Sequence, residues 1–273
     1  MTGKKVAFIT GIARGQGRAH AVKLASQGMD IIGLDICEDI ESMDYPNATE
    51  DDLRTTIKSV EKAGGSIVAE KGDVRNYDDL RRVLGLGLER FGRVDVLLAN
   101  AGIVRLSPGG DRDRTWVDII DVNLTGVWRT IEVVLPAIRD GGRGGSVVIT
   151  SSTAGLKGTA SDKAGTQAYT ASKRALVGLM QVLATEHAGE KIRVNTIHPT
   201  GVISGMTQNS VMAALHAEAA RGEKNTISSM QNALPIDILQ AEDIANAVAW
   251  LVSDEAAYIT GISLPLDAGF TVR

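Results

Sequence analysis

The sequence contains a single cysteine, Cys37, so no disulfide can form within the chain, as is typical of proteins in a reducing compartment. No apolar run approaches the ~18 residues that cross a bilayer, and the first residues lack the apolar core and cleavage site of a signal peptide. The 29 lysines and arginines are outnumbered by 33 aspartates and glutamates, which argues against a nucleic-acid-binding face. We therefore expect a cytoplasmic protein with neither a membrane nor a nucleic acid as partner.

Histidine is also scarce, and none of the four histidines (His20, His187, His198, His216) pairs with another at the spacing of metal ligands. We therefore expect no metal site. Glycine, by contrast, is abundant, and its 30 residues suit many tight turns between strands and helices. A chain of 273 residues is long for one core, but α/β folds reach this length routinely.

Short β-rich runs alternate with longer segments of helical spacing along the whole chain. The β-rich runs lie at 4–10, 30–35, 66–73, 94–100, 145–150, 192–198 and 262–267, and the helical segments at roughly 15–28, 50–63, 76–91, 113–139, 165–188 and 241–253. Several of the β-rich runs are almost continuously apolar, as expected when helices cover both faces of a parallel sheet. The pattern predicts an α/β fold with a doubly wound, seven-stranded parallel sheet of the Rossmann type, formed by residues 1–273 as one domain.

Two connections are longer than such a fold requires, and loops of this length are usually functional or disordered. The first, 36–50, is acidic and contains Pro46. The second, 201–240, carries flexible apolar residues that can shape an apolar pocket, namely Met206, Met212, Leu215, Ile227, Met230 and Leu234. We interpret this second segment as a substrate lid. The alternative is a helix pair that merely covers the core.

The stretch TGIARGQGR, residues 10–18, follows the first strand and begins the first helix. Gly11 permits a sharp turn off the strand, Gly15 lets the backbone approach a pyrophosphate, and Gly17 lets the helix pack close to the sheet. The helix N-terminus then offers free N–H groups and a positive dipole end to phosphates. This stretch predicts a dinucleotide cofactor, held by Gly11, Ala13, Arg14, Gly15, Gln16 and Gly17.

Asp35 ends the second strand and is followed by Ile36, which we include in the same site. A carboxylate at this position accepts hydrogen bonds from both hydroxyls of an adenosine ribose, and it repels a 2′-phosphate. Like charges ~4 Å apart near a protein surface repel by on the order of 4 kcal/mol, which favours NAD over NADP. Arg14 could instead receive a 2′-phosphate, so an NADP-linked carbonyl reductase is the alternative.

Two further strand ends carry residues suited to the same ligand, because ligands of open α/β sheets bind outside the carboxyl ends of the strands. Asp73 follows the third strand and is able to accept a hydrogen bond from an adenine amino group, with Val74 against the ring. The fourth strand ends in ANAG, where Asn100 is small and polar, and Ala101 and Gly102 leave room for a flat ligand.

Tyr169 and Lys173 are four residues apart in a helical segment, so their side chains lie on one helix face. An ammonium group beside a phenol favours the phenolate and lowers the phenol pKa from ~10. Tyr169 is therefore a candidate general base for an alcohol or general acid for a carbonyl. Ser152, after the fifth strand, is the predicted partner of the reacting oxygen. Asn123, an amide in mid-helix, is predicted to hold a water that relays protons from Lys173.

These residues and motifs together resemble the classical short-chain dehydrogenase/reductase family, and the likeness covers essentially the whole chain. The resemblance implies a catalytic tetrad of Asn123, Ser152, Tyr169 and Lys173, an NAD(P) cofactor and a homotetramer. It further implies that residues 199–202 flank the nicotinamide, with Val202 near its amide; Pro199, Thr200, Gly201 and Val202 therefore join the expected cofactor contacts, as do Tyr169 and Lys173. Seventeen positions separate Ser152 from Tyr169, several more than is usual in the family, so Ser151 and Ser161 are weaker candidates for the serine.

The insertion at 36–50, the phrase SSTAGLKG and the stretch YTASKRALVGLM are similar to a narrower group, the mycofactocin-associated, carveol-dehydrogenase-like members. In that group the insertion is thought to cover bound NAD, so that its reoxidation needs an external redox carrier. The expected reaction is reversible hydride transfer between NAD and a small apolar secondary alcohol, with terpenoids among the candidates. The alternatives are epimerisation or dehydration on the same scaffold, and a non-catalytic dinucleotide sensor.

Overall fold

Seven parallel strands form one sheet in the computed structural model, which describes residues 3–158, 160–223 and 231–273. The strands are β1 (Val6–Thr10), β2 (Asp30–Asp35), β3 (Ile67–Lys71), β4 (Val96–Ala99), β5 (Gly145–Thr150), β6 (Ile192–Pro199) and β7 (Ser263–Leu266), in the spatial order β3-β2-β1-β4-β5-β6-β7. The predicted fold class is therefore confirmed. The strand order reverses between β1 and β4, which is where doubly wound sheets bind their ligands.

Eight α-helices connect and cover the strands within the described residues. They are α1 (Gly15–Ser26), α2 (Glu50–Lys62), α3 (Tyr77–Phe91), α4 (Arg112–Ile120), α5 (Gly126–Asp140), α6 (Ala164–Glu186), α7 (Ser210–Ala220) and α8 (Ala241–Val252). Alternate residues of β1 point to opposite faces: Ala7 and Ile9 pack in the core under α1, α2 and α8, while Val6 and Phe8 pack under α3, α5 and α6. Both faces of the sheet are therefore buried.

The helical segment expected at 113–139 is interrupted at its centre. Residues Asp121–Thr125 form a π-helical turn between α4 and α5, and the N–H of Gly126 bonds the carbonyl of Asp121. A π turn accommodates one extra residue, so the apolar pattern continues on both sides and the interruption is invisible to periodicity. Asn123 lies in this turn, where π-helical geometry is common at functional sites.

The described residues of the segment 201–240 contain one helix, α7, and the interpretation of the segment as a substrate lid stays a prediction. Met212 and Leu215 of α7 are buried, whereas Leu234 is 62% exposed. Ile227 and Met230 lie outside the described residues. Across the three described ranges, no helix is both long and apolar enough to cross a membrane.

Candidate active site

A cavity of about 790 Å³ opens at the carboxyl ends of the central strands, a size typical of small-molecule sites. All the predicted site residues line this cavity except Ala13 and Asn123, which are buried behind its wall. The sheet thus brings together residues from position 11 to position 202, as parallel strands with a common carboxyl edge must.

The glycine turn has the geometry that its sequence predicts. Gly11 adopts φ +67°, and a Cβ there would lie 2.9 Å from the Cα of Ala101. A Cβ on Gly17 would overlap the carbonyl of Gly11, so only glycine lets α1 approach this closely. The N-terminus of α1 receives no side-chain cap, and Gln16 Oε1 is buried without a partner among the described residues. Free N–H groups at the start of a helix fit the pyrophosphate of a dinucleotide.

The carboxylate of Asp35 lies where the adenosine ribose of a dinucleotide is expected. Oδ2 accepts the N–H of Ala13 at 2.9 Å, and Oδ1 accepts the N–H of Cys37 at 3.3 Å. Burial raises the pKa of Asp35, and these two backbone bonds oppose that rise. Ala13 therefore acts by orienting the carboxylate rather than by lining the cavity.

The side chain of Arg14 contacts two loops. Its Nη2 donates to the carbonyl of Pro46 at 2.7 Å, and a Cβ on Gly205 would overlap the guanidinium. The side chain therefore bridges the insertion at 36–50 and the segment 201–240. This geometry gives Arg14 a task other than receiving a 2′-phosphate.

The part of the cavity near Asp73 includes a pair that the sequence did not reveal. Asp73 accepts the N–H of Arg75 on Oδ1 and its Nε–H on Oδ2, both at 2.8 Å. Arg75 also lies 3.5 Å from Asp118. The carboxylate of Asp73 is thus held in place by a neighbouring cation, and its contact with adenine stays a prediction.

Asn100 ties the ends of three strands together. Its Nδ2 donates to the carbonyl of Thr10 at 3.0 Å, its backbone N–H bonds Thr10 Oγ1 at 3.0 Å, and its Oδ1 accepts from Thr150 Oγ1 at 3.4 Å. These contacts fix the ends of β1, β4 and β5 relative to one another at the point where the strand order reverses, next to the space left by Ala101 and Gly102.

Tyr169 and Lys173 lie on the face of α6 that borders the cavity, as their spacing predicts. Burial raises the pKa of Tyr169, and a hydrogen bond with Ser152 opposes the rise. Desolvation is the largest influence on the pKa of this phenol, and the lowering of that pKa by Lys173 stays a prediction. The hydroxyl pair of Ser152 and Tyr169 is nevertheless arranged to hold one substrate oxygen between two polar groups.

Lys173 is almost completely buried, and its Nζ donates to the carbonyl of Thr150 at 2.8 Å. Burial lowers its pKa to about 8. The amine still carries a positive charge at neutral pH for most of the time, since its pKa stays above 7. A Cβ on Gly102 would lie 3.2 Å from Nζ, so a side chain at this position would crowd the amine.

Asn123 is fully buried, and its side chain makes both of its hydrogen bonds to one residue. Oδ1 accepts the N–H of Ile103 and Nδ2 donates to the carbonyl of Ile103, both at 2.8 Å. The amide therefore joins the π turn to the chain that leaves β4. Its predicted role in holding a relay water stays a prediction.

Ser152 is favoured over Ser151 and Ser161 as the active serine. Ser151 Oγ donates to the carbonyl of Lys173 at 2.8 Å, and Ser161 Oγ accepts the N–H of Lys163, so both hydroxyls have structural tasks. Ser152 caps a short 3₁₀ turn at Thr153–Gly155, and its carbonyl accepts the Nδ1–H of His198 at 2.8 Å. The long spacing to Tyr169 is taken up between this turn and the start of α6 at Ala164, where residue 159 lies outside the described residues.

The insertion at 36–50 is a strap that reaches from the cofactor end to the substrate end of the cavity. Ser42 Oγ donates to Asp118 at 2.6 Å, and Asp44 accepts the N–H of Ser107 at 2.8 Å. Tyr45, which the sequence analysis missed, is buried at the cavity wall, and its Oη accepts the N–H of Val104 at 3.4 Å. The signal available in the sequence was one aromatic residue within a polar, acidic insertion.

Comparison with known proteins places this geometry in a family. The family model described as short chain dehydrogenase matches residues 5–215. The (-)-trans-carveol dehydrogenase of Rhodococcus erythropolis is 43% identical over 98% of both chains. An uncharacterized oxidoreductase of Mycobacterium tuberculosis is 50% identical over 97% of this chain and 96% of its own.

Two solved structures are similar over nearly their whole length. The carveol dehydrogenase of Mycobacterium avium in complex with NAD has a TM-score of 0.91 at 42% identity, covering 100% of this chain and 99% of its own. A short chain dehydrogenase of Mycobacterium paratuberculosis bound to NAD has a TM-score of 0.89 at 40% identity, covering 98% of both chains. The glycine turn, the serine, the tyrosine and the lysine thus stand in a chain that belongs to the short-chain dehydrogenase family.

Proposed function

We propose that this protein is an NAD-dependent dehydrogenase that interconverts small apolar secondary alcohols and their ketones. The observation that carries the proposal is the shared cavity: Ser152, Tyr169 and Lys173 border the same space as the glycine turn and Asp35. The two relatives with solved structures named above are described with NAD. A non-catalytic sensor has no use for a tyrosine, a serine and a buried lysine at one point of such a cavity.

Residues of the chain suffice to hold the cofactor. The uncapped start of α1 and Gly15 would receive the pyrophosphate, and Asp35 the adenosine ribose. Lys173 would bind the nicotinamide ribose, and residues 199–202 would flank the nicotinamide. NAD, when bound, supplies the acceptor for the hydride that leaves the carbinol carbon.

The protein's own part in the reaction is to hold the substrate oxygen and move its proton. Ser152 and Tyr169 bind the hydroxyl group, and Tyr169 accepts its proton as the carbon–oxygen double bond forms. The charge on Lys173 stabilises the phenolate form of the base from above the ring. In the reverse direction Tyr169 returns the proton to the carbonyl oxygen. Asn123 keeps the chain after β4 in position, and in our proposal anchors the relay water.

The lining of the cavity supports an apolar substrate. Apolar side chains from the chain after β4 and from the segment 201–240 contribute to its walls: Ile103, Val104, Leu106, Met206, Met212 and Leu234. Unbranched methionines adapt to irregular hydrocarbon shapes. The activity in the name of the Rhodococcus relative concerns a terpenoid alcohol, and we extend that class to this chain as the preferred substrate.

The strap formed by residues 36–50 supports slow exchange of the cofactor. Arg14 joins it to the segment 201–240 above the glycine turn, and Ser42 and Asp44 anchor its middle near α4. We propose that NAD remains bound between turnovers and is reoxidised by an external redox carrier. Mass spectrometry of small molecules released on denaturing the purified protein tests this: stoichiometric NAD supports it, and its absence contradicts it.

Exposed apolar side chains support a homotetramer. Trp116, Val117, Trp128 and Val182, on α4, α5 and α6, are each more than 40% exposed, so the two tryptophans are not core residues. Where such side chains form one contiguous patch, they mark an interaction surface. Size-exclusion chromatography with light scattering measures the assembly directly. The cytoplasmic location stays a prediction.

The experiment that tests the activity is a panel of alcohols with NAD and with NADP. We expect cyclic apolar alcohols with NAD to give the highest kcat/KM. Faster turnover of sugars or hydroxy acids would contradict the substrate class, and a preference for NADP would contradict the cofactor assignment.

A further inference from the structure

The catalytic face of α6 carries a hydroxyl that the proposed reaction does not use. Thr166 precedes Tyr169 by three residues and Lys173 by seven, so it lies on the same face of the helix. All three residues, together with Thr170, line the cavity. Thr166 is only 7% exposed, and its Oγ1 is buried with no hydrogen-bond partner among the described residues. Buried hydroxyl groups are normally paired, so an unpaired one at a cavity wall indicates a missing polar partner.

A second hydroxyl approaches the same region from the strap. Tyr45 Oη accepts the N–H of Val104, and its own O–H has no acceptor within the described part of the chain. Burial raises the pKa of Tyr45 to about 12, so the phenol is neutral and keeps its proton to donate. Tyr45 also lies close enough to Tyr169 for the two phenols to influence each other electrostatically.

The chain after β4 connects the two elements that carry these hydroxyls. Val104 bonds Tyr45, and the next residue, Arg105, packs against the first turn of α6 so tightly that a Cβ on Gly165 would overlap its carbonyl. Thr166 directly follows that glycine. The same two-residue stretch therefore bonds Tyr45 through Val104, and through Arg105 it packs against the residue that precedes Thr166.

We propose that Thr166 and Tyr45 form a second polar subsite, which binds a second oxygen atom of the substrate. This inference rests on the proposed dehydrogenase function and refines its substrate class. The favoured substrates are cyclic secondary alcohols that carry one further ether, hydroxyl or keto oxygen on the ring, away from the carbinol. The first oxygen is held by Ser152 and Tyr169, and the second receives hydrogen bonds from Thr166 and Tyr45.

The test compares two alcohols that differ by one atom group. In 4-methoxycyclohexanol an oxygen replaces a methylene of 4-ethylcyclohexanol, and the 3-substituted pair covers the other ring position. The readout is the ratio of kcat/KM for the methoxy alcohol to that for the ethyl alcohol, with NAD. We expect a ratio above one for the unmodified protein, and a fall of about tenfold in Thr166→Val and in Tyr45→Phe.

The conservative variant Thr166→Ser keeps a hydroxyl and should preserve the ratio. A ratio that is unchanged in either Thr166→Val or Tyr45→Phe overturns the subsite, even if both rates fall through a general disturbance of the fold. If the unmodified protein oxidises the ethyl alcohol with NAD while the ratio is insensitive to both variants, only the subsite fails. If it oxidises none of the alcohols, the dehydrogenase proposal itself fails, and the subsite with it.

Discussion

Lys173 Nζ lies over the face of the Tyr169 ring, 5.6 Å from its centre. A cation over an aromatic face is attracted by the ring quadrupole, so this contact holds the tyrosine in place as well as supplying charge. The amine is fixed from its other side by the carbonyl of Thr150. The two side chains thus form a rigid unit on α6, and the hydroxyl of Tyr169 is left for Ser152 and the substrate.

Replacing Tyr169 by phenylalanine should leave NAD binding intact and lower the rate of alcohol oxidation by about a thousandfold, because the proton acceptor is lost. Steady-state kinetics and a cofactor-binding titration measure the two effects separately. Tyr258→Phe is the matched control, since Tyr258 is 98% exposed. A Tyr169→Phe variant with normal activity would refute the assigned role.

The rate of alcohol oxidation should rise with pH, because the pKa of Tyr169 is raised by burial and the base form is scarce near neutrality. Below that pKa, the phenolate fraction grows about tenfold for each pH unit. Ser152→Ala removes a hydrogen bond that favours the phenolate, so the rise should move to higher pH.

The measurement is the pH dependence of kcat/KM in the two proteins. Ser146→Ala serves as the control, because Ser146 Oγ is buried in β5 away from the cavity and has no hydrogen-bond partner among the described residues. A profile of Ser152→Ala that coincides with the unmodified one, after scaling, would show that the serine does not act on the phenol.

Replacing Asp35 by asparagine should reduce the preference for NAD over NADP on the order of a hundredfold, since a 2′-phosphate is no longer repelled. The asparagine oxygen can still accept the N–H of Ala13, so the loop is retained. The ratio of kcat/KM for the two cofactors is the readout. Glu38→Gln removes an exposed carboxylate near the same strand end, paired with Lys71, and should leave the ratio unchanged.

His20 should make the fold sensitive to acid. It is buried in α1, its Nδ1 has no partner among the described residues, and burial lowers its pKa from 6.5 to about 4. The unfolded chain binds a proton on this histidine more readily than the folded protein does. The contribution of neutral His20 to stability is therefore complete above pH 6.5 and is lost as the pH falls towards 4. The loss attributable to this residue is about 3 kcal/mol in the free energy of unfolding.

Urea denaturation between these pH values measures that loss, and His20→Gln should show a smaller fall than the unmodified protein. His216→Gln, at an exposed position, is the control. Equal falls in the His20 variant and the unmodified protein would exclude His20 as the source.

Local patterns in the amino-acid sequence predicted the strands and the turn that precedes the first helix. The alternation of apolar runs and helical segments predicted all seven strands, and the strand–turn–helix context of residues 10–18 predicted a glycine turn that the structure confirms. Such features depend on neighbours within a few positions, which are visible in sequence. The contacts of Asn123 with Ile103, of Arg14 with Pro46 and of Asp73 with Arg75 were not predicted, because hydrogen bonds of side chains to distant or irregular backbone leave no periodic trace.

The amino-acid sequence by itself determined the order of the elements, the close approach of α1 to the sheet, and the placing of Tyr169 and Lys173 on one helix face. Only the tertiary structure decided how deeply these two groups are buried, and hence that desolvation raises the pKa of the phenol and lowers that of the amine. The physical reason is that desolvation depends on everything packed around a group. Those surroundings are assembled from segments far apart in the chain, including the strap at 36–50 and the chain after β4.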